Sequence, residues 1–89
     1  MARWSLEFSS GASEDLFNLD LEVKRRIIEK LDWLLKNFDS ILPQALSADF
    51  REFFKLRIGD WRVIYKINWN KNIITIHYIE HRSKIYKRK

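Results

Sequence analysis

Trp4, Leu6 and Phe8 alternate with Arg3, Ser5, Glu7 and Ser9, and this period of two predicts a short half-buried strand over residues 3–9. The cluster Ser9-Ser10-Gly11-Ala12-Ser13 ends that strand and supplies hydroxyls for a helix N-cap. Residues 14–19 read as about two helical turns, and Asp20 is placed to cap a second helix. Along that helix Val23, Ile27, Leu31, Leu34, Leu35 and Phe38 form one apolar stripe, while Lys24, Arg25, Glu29, Lys30 and Asp32 take the other side. Residues 39–50 lose the period around Pro43 and read as a connector, with a helical turn expected near Ala45 and Leu46.

From Phe53 the period returns to two. Phe54, Leu56 and Ile58 alternate with Phe53, Lys55 and Arg57, and Gly59-Asp60 turns the chain. Trp61, Val63, Tyr65, Ile67 and Trp69 then alternate with Arg62, Ile64, Lys66 and Asn68. Asn70-Lys71-Asn72 makes a second turn, because asparagine tolerates the left-handed region. A β-branched strand from Ile73 to Ile79 leads into Glu80-His81-Arg82 and a basic tail containing Tyr86. The order β-α-α-β-β-β predicts an α+β fold: an antiparallel sheet with two N-terminal helices packed on one face. All of residues 1–89 are expected to form a single domain, since a second independent core does not fit in this length.

Composition narrows the class. At 46% apolar and 15% aromatic the chain can bury a compact core, and two glycines and one proline exclude collagenous and low-complexity classes. With no cysteine there is no disulfide scaffold, cysteine nucleophile or thiolate metal site. The first seven residues are charged and carry no apolar signal core, and no apolar run exceeds three residues. A cytoplasmic, membrane-free protein is expected.

Charge adds a functional direction. Residues 1–50 carry six basic and nine acidic side chains, whereas residues 51–89 carry eleven basic and three acidic, Glu52, Asp60 and Glu80. A half with net charge +8, interleaved with aromatic residues, fits a polyanion, and nucleic acid leads because dense phosphate rewards clustered Lys and Arg. Gly-rich phosphate loops, His-Glu-x-x-His and Gly-x-Ser-x-Gly are all missing. His77 and His81 sit four apart in a strand, about 13 Å, too far to share a metal. What remains is Lys55, Arg57, Arg62, His81, Arg82 and Tyr86. Such a set suits RNA cleavage by its own 2′-hydroxyl, which needs a base, cations for the charge at phosphorus and an acid for the leaving oxygen. The same cations equally suit phosphate binding without chemistry.

The segment from Phe54 to Ile67 (FKLRIGDWRVIYKI) resembles the signature hairpin of the RelE/ParE toxin superfamily, and Ile79 to Tyr86 (IEHRSKIY) resembles its C-terminal motif. Within that superfamily the likeness is closest to the RelE type. It implies a toxin of a type II toxin–antitoxin system: a ribosome-dependent mRNA endoribonuclease that needs no metal and no cofactor. It also implies two partners, mRNA in the ribosomal A site and a cognate acidic antitoxin held in a hetero-oligomer, for which exposed aromatics such as Trp69 are contact candidates. Carried over, the likeness makes Lys55 the general base or electrostatic anchor and Arg62 the group that steadies the scissile phosphate. Arg82 would protonate the leaving group with His81 as a further acid, and Tyr86 would stack on the mRNA base. Arg57, Lys66, Lys84 and Lys87 are the expected RNA contacts. Phe53 stands where a second family lysine often occurs, Glu80 replaces a common glycine, and Glu52 offers a carboxylate as in some branches. The alternatives are a ParE-like toxin that inhibits DNA gyrase by binding, or a member without activity.

Overall fold

The structure, a computed structural model, describes residues 3–47, 49 and 52–83. The chain runs β1 (Ser5–Phe8), α1 (Ser10–Phe17), α2 (Leu21–Asn37), a 3-10 turn (Phe38–Ser40), β2 (Gln44–Ala45), β3 (Phe54–Ile58), β4 (Trp61–Asn68) and β5 (Ile73–His81). The strands form one sheet in the order β1-β5-β4-β3-β2. The α+β class and the expected order of the main elements hold.

Two features of the sheet differ from expectation. First, β1 pairs with β5 in parallel, from Ser5 opposite Ile73 to Phe8 opposite Ile76, so the sheet is mixed rather than antiparallel throughout. Alternation reports which face a side chain takes and is the same for either strand direction. Direction is set by the exit from β1. The Ser9 backbone N–H donates to the Ile76 carbonyl at 2.9 Å, its hydroxyl donates to the His77 carbonyl, and the same oxygen caps α1 at the Ala12 N–H. Second, the connector around Pro43 contains a short edge strand instead of a helical turn, with Gln44 opposite Lys55 and Ala45 opposite Phe54. The proline disfavours helix in the residue before it, and the open edge of β3 offers unpaired backbone groups that the extended connector takes up.

The stripe on α2 behaves as its period predicts. Ile27, Leu31, Leu34 and Phe38 are buried, with Val23 and Leu35 packed at the margin. Against them lie Leu6 and Phe8 of β1, Phe54, Leu56 and Ile58 of β3, Val63 and Tyr65 of β4, and Ile74, Ile76 and Ile79 of β5. Asp20 stands at the N-cap of α2, but its carboxylate makes no capping bond; its backbone carbonyl receives the Lys24 N–H instead. Helix α1 begins earlier than its apolar residues indicate, directly from the Ser9 cap. No helix among the described residues is long and apolar enough to cross a membrane.

Tyr65 sits at the centre of this core at 1% exposure, and burial pushes its hydroxyl up from 10.0 to about 12. The neutral phenol is the form the fold prefers. Its contribution is complete below the unfolded value near 10 and is lost as pH rises toward the folded value near 12. Across that window the wild type is expected to lose on the order of 2–3 kcal/mol more unfolding free energy than Tyr65→Phe, measured by urea titration. Equal alkaline slopes for the two proteins would show that Tyr65 is not the titrating group.

Candidate functional site

Both helices cover one face of the sheet, and the expected cations gather on the other. On this face Lys55 pairs across the ladder with Ile64, and Arg57 pairs with Arg62. Arg62 is in turn opposite Glu80 on β5. The tight turn at Gly59-Asp60 keeps β3 and β4 in this register. Gly59 holds a φ of +59°, and a Cβ there would meet the Arg26 guanidinium of α2 at 2.9 Å. At the turn end of the hairpin lies a cleft of about 330 Å3 lined by Lys55, Arg57, Arg62 and Arg82, together with Gln44, Gly59, Asp60 and Trp61.

The cations are held in different ways. Arg62 is three-quarters buried, its Nη2 lies 3.9 Å from the Glu80 carboxylate, and Glu80 is almost wholly buried. The Arg62 Nε is buried without a hydrogen-bond partner among the described residues. Arg82 is half exposed, with Nη1 3.5 Å from Asp60, while its backbone N–H donates to the Asp60 carbonyl at 2.8 Å. Asp60 thus ties the end of β5 to the β3–β4 turn and brings a residue distant in sequence into the cleft. Arg57 is exposed and donates from Nε to the Gly59 carbonyl. Four cationic groups against the carboxylates of Asp60 and Glu80 leave the cleft with a net of two positive charges.

His81 takes the other parity. It lies opposite Trp61 in the ladder, and the two rings meet edge to face at 5.1 Å. Its Nδ1 accepts the Ser83 backbone N–H, so in the neutral ring the proton sits on Nε2. His81 does not itself line the cleft, but Trp61, which its ring touches, does. Lys66 is on the cleft-bearing face but farther along β4, 3.9 Å from Glu52 and above the Phe53 ring. Glu52 is therefore engaged away from Arg62 and Arg82. Tyr86, Lys84 and Lys87 lie outside the described residues. Trp69, read as an exposed aromatic, keeps 61% exposure but also packs against Trp4 and Phe38.

Sequence reasoning missed Gln44 and the structural part of Asp60. Gln44 had no signal, because a two-residue edge strand has no measurable period. Glu80 was visible as an unexpected carboxylate, but its burial beside Arg62 was not. A further group surrounds a bulge in β5. Ile64 pairs with Tyr78 and Tyr65 with Ile76, leaving His77 as the extra residue. Its ring packs against Phe53, and burial, followed by the charge of Lys66, lowers its pKa below the usual histidine value. Among the described residues no three His, Asp or Glu side chains gather as metal ligands would.

A mixed five-stranded sheet with two helices packed on it matches the fold of solved RelE toxins. The RelBE2 toxin–antitoxin complex from Mycobacterium tuberculosis contains a chain matching 89% of this one and 98% of itself, with TM-score 0.77 and 21% identity. The isolated RelE toxin of E. coli matches with TM-score 0.74 and 17% identity, covering 94% of this chain and 92% of that one. The archaeal RelE–RelB complex from Pyrococcus horikoshii OT3 gives TM-score 0.70 and 22% identity, over 91% and 97% of the two chains. No curated protein matches the sequence. The family model described as the ParE toxin of type II toxin–antitoxin system, parDE, matches residues 6–86, and the chain belongs to that family. It is a type II toxin–antitoxin toxin of the RelE/ParE superfamily.

Proposed function

We propose that this toxin is an endoribonuclease that cleaves mRNA in the ribosomal A site by attack of the RNA's own 2′-hydroxyl. The observation that supports it is the convergence of Lys55, Arg57, Arg62 and Arg82 on one cleft. In the step, the 2′-oxygen bonds to phosphorus, the bond from phosphorus to the 5′-oxygen breaks, and a 2′,3′-cyclic phosphate and a free 5′-hydroxyl result. The 2′-hydroxyl proton passes to a base and the leaving 5′-oxygen takes a proton. Lys55 is the candidate for the first transfer or for anchoring the phosphate. Arg62 and Arg57 stand where they can hold the non-bridging oxygens as charge builds, and guanidinium groups stabilise that charge more than the ground state. Arg82 serves the leaving group, and Tyr86 stacks on the base. Such work places the protein in the cytoplasm. The test is to map mRNA ends on translating ribosomes after induction. New 5′-hydroxyl ends at A-site positions support the reading, and intact mRNA in growth-arrested cells removes it.

The match to the ParE toxin family favours one second reading, inhibition of DNA gyrase by binding. On that reading mRNA stays intact and the arrest follows DNA damage.

Salt offers a further check on the cleft. Three to four phosphates neutralised on a single strand correspond to a log–log slope of affinity against salt of about −2 to −3. That slope is expected for RNA binding measured between low and physiological salt. A flat response would remove the phosphate-binding reading.

Two of the solved relatives are complexes of toxin with antitoxin. For this chain the proposed partner is an acidic antitoxin. Phe17, Leu21 and Ile28 are exposed along α1 and α2 and offer it an apolar contact.

A further inference from the structure

The bulge in β5 brings two consecutive rings to the face that carries the cleft. The His77 ring lies 5.5 Å from Phe53 and 6.5 Å from Tyr78, and the Lys66 ammonium stands 4.7 Å above Phe53. Without the extra residue, strict alternation would set His77 and Tyr78 on opposite faces; bulges commonly re-aim side chains beside functional sites. Ile64, between Lys55 and Tyr78 in the ladder, is only 3% exposed. Tyr78, its ladder partner on β5, is 48% exposed. The patch is continuous with the cleft, because Ile64 is two residues from Arg62, about 7 Å along a strand. Its ladder partner Lys55 belongs to both.

We propose that Phe53, His77 and Tyr78 form a base-stacking subsite for the nucleotide next to the phosphate held in the cleft, with Lys55 and Lys66 facing the flanking backbone. The inference rests on the reading that the cleft holds RNA. Charge complementarity selects the occupant. Rings interleaved with ammonium groups match the alternation of bases and phosphates in a single strand, and every base presents a π-face to such a platform. Glu52, two-thirds exposed, pairs with Lys66 at 3.9 Å, so the net positive charge beside the rings comes from Lys55 and the cleft. Burial, followed by the charge of Lys66, lowers the pKa of His77 and so favours the neutral ring, which suits stacking.

The test is binding of a short 2′-O-methyl oligoribonucleotide, which lacks the attacking hydroxyl, to the full chain at low salt by fluorescence anisotropy. Tyr78→Leu keeps apolar bulk and loses the π-face, and it is expected to weaken binding roughly 5- to 100-fold. Tyr78→Phe is expected to bind as the wild type does. An abasic position in the oligonucleotide should cause the same loss in the wild type and no further loss in Tyr78→Leu. If Tyr78→Leu and His77→Ala bind normally while Lys55→Ala weakens binding, the subsite is overturned and the RNA-binding cleft stands. If the wild type binds no oligonucleotide, and Tyr78→Leu weakens only the antitoxin complex, both readings fall and the patch is a protein contact.

Discussion

Replacing Arg62 or Arg82 by alanine is expected to reduce cleavage of ribosome-bound mRNA by about 10²- to 10³-fold each, the usual loss when one fixed donor to a developing oxyanion is removed. The two positions carry different structural risks. Arg82 is half exposed, so Arg82→Ala should leave the fold unchanged. Arg62 lies beside a carboxylate that is only 8% exposed. Taking away its guanidinium strips charge from one side of a buried pair, a change that costs up to about 3–5 kcal/mol. Arg62→Ala combined with Glu80→Gln removes charge from both sides and keeps the chemistry testable. Arg62→Lys should remain impaired, because an ammonium cannot copy the planar fork of donors. Toxicity, mRNA ends and thermal unfolding are measured together. If the folded double variant and Arg82→Ala stay fully toxic, and the wild type leaves no cleaved mRNA, gyrase binding replaces cleavage.

An equally large effect on stability is expected at Trp4. Its ring is 4% exposed and meets Phe38 at 4.7 Å and Trp69 at 5.5 Å, while Nε1 donates to Asp39 at 3.0 Å. This one side chain therefore joins the segment before β1 to the turn after α2 and to the β4–β5 turn. Trp4→Ala should cost about 3–5 kcal/mol, from lost burial and the cavity left behind. For a chain of this size that lowers Tm by more than about 12 °C in a calorimetric scan. Trp4→Phe, which keeps the aromatic contacts and gives up the bond to Asp39, should cost clearly less. Equal losses in the two variants would show that the hydrogen bond, not the packing, holds this corner.

The elements most legible in the sequence are those whose side chains repeat over several periods. The stripe from Val23 to Phe38 marked α2 and its buried face, and the alternation across Phe54–Ile58 and Trp61–Asn68 marked a hairpin with its cations on one side. Lys55, Arg57 and Arg62 were readable as neighbours because a hairpin turn and a period of two fix them locally. Arg82 was readable only as part of a motif. What carries it to the cleft is the bond between its backbone N–H and Asp60, two residues twenty-two positions apart. Glu80 is a plain acidic residue in the sequence, and its burial against Arg62 follows from the pairing of β4 with β5.

By itself, then, the sequence determined the α+β class, the faces of the main helix and strands, and the gathering of positive charge in the second half. These are local and periodic properties, set by which side chains must leave water and by the geometry of each backbone. Only the tertiary structure decided the parallel direction of β1, the edge strand at Gln44–Ala45, the bulge that turns His77 outward, and the packing of His81 against Trp61. Each of these depends on which backbone groups find partners across the sheet, and a pattern of polar and apolar side chains does not encode that choice.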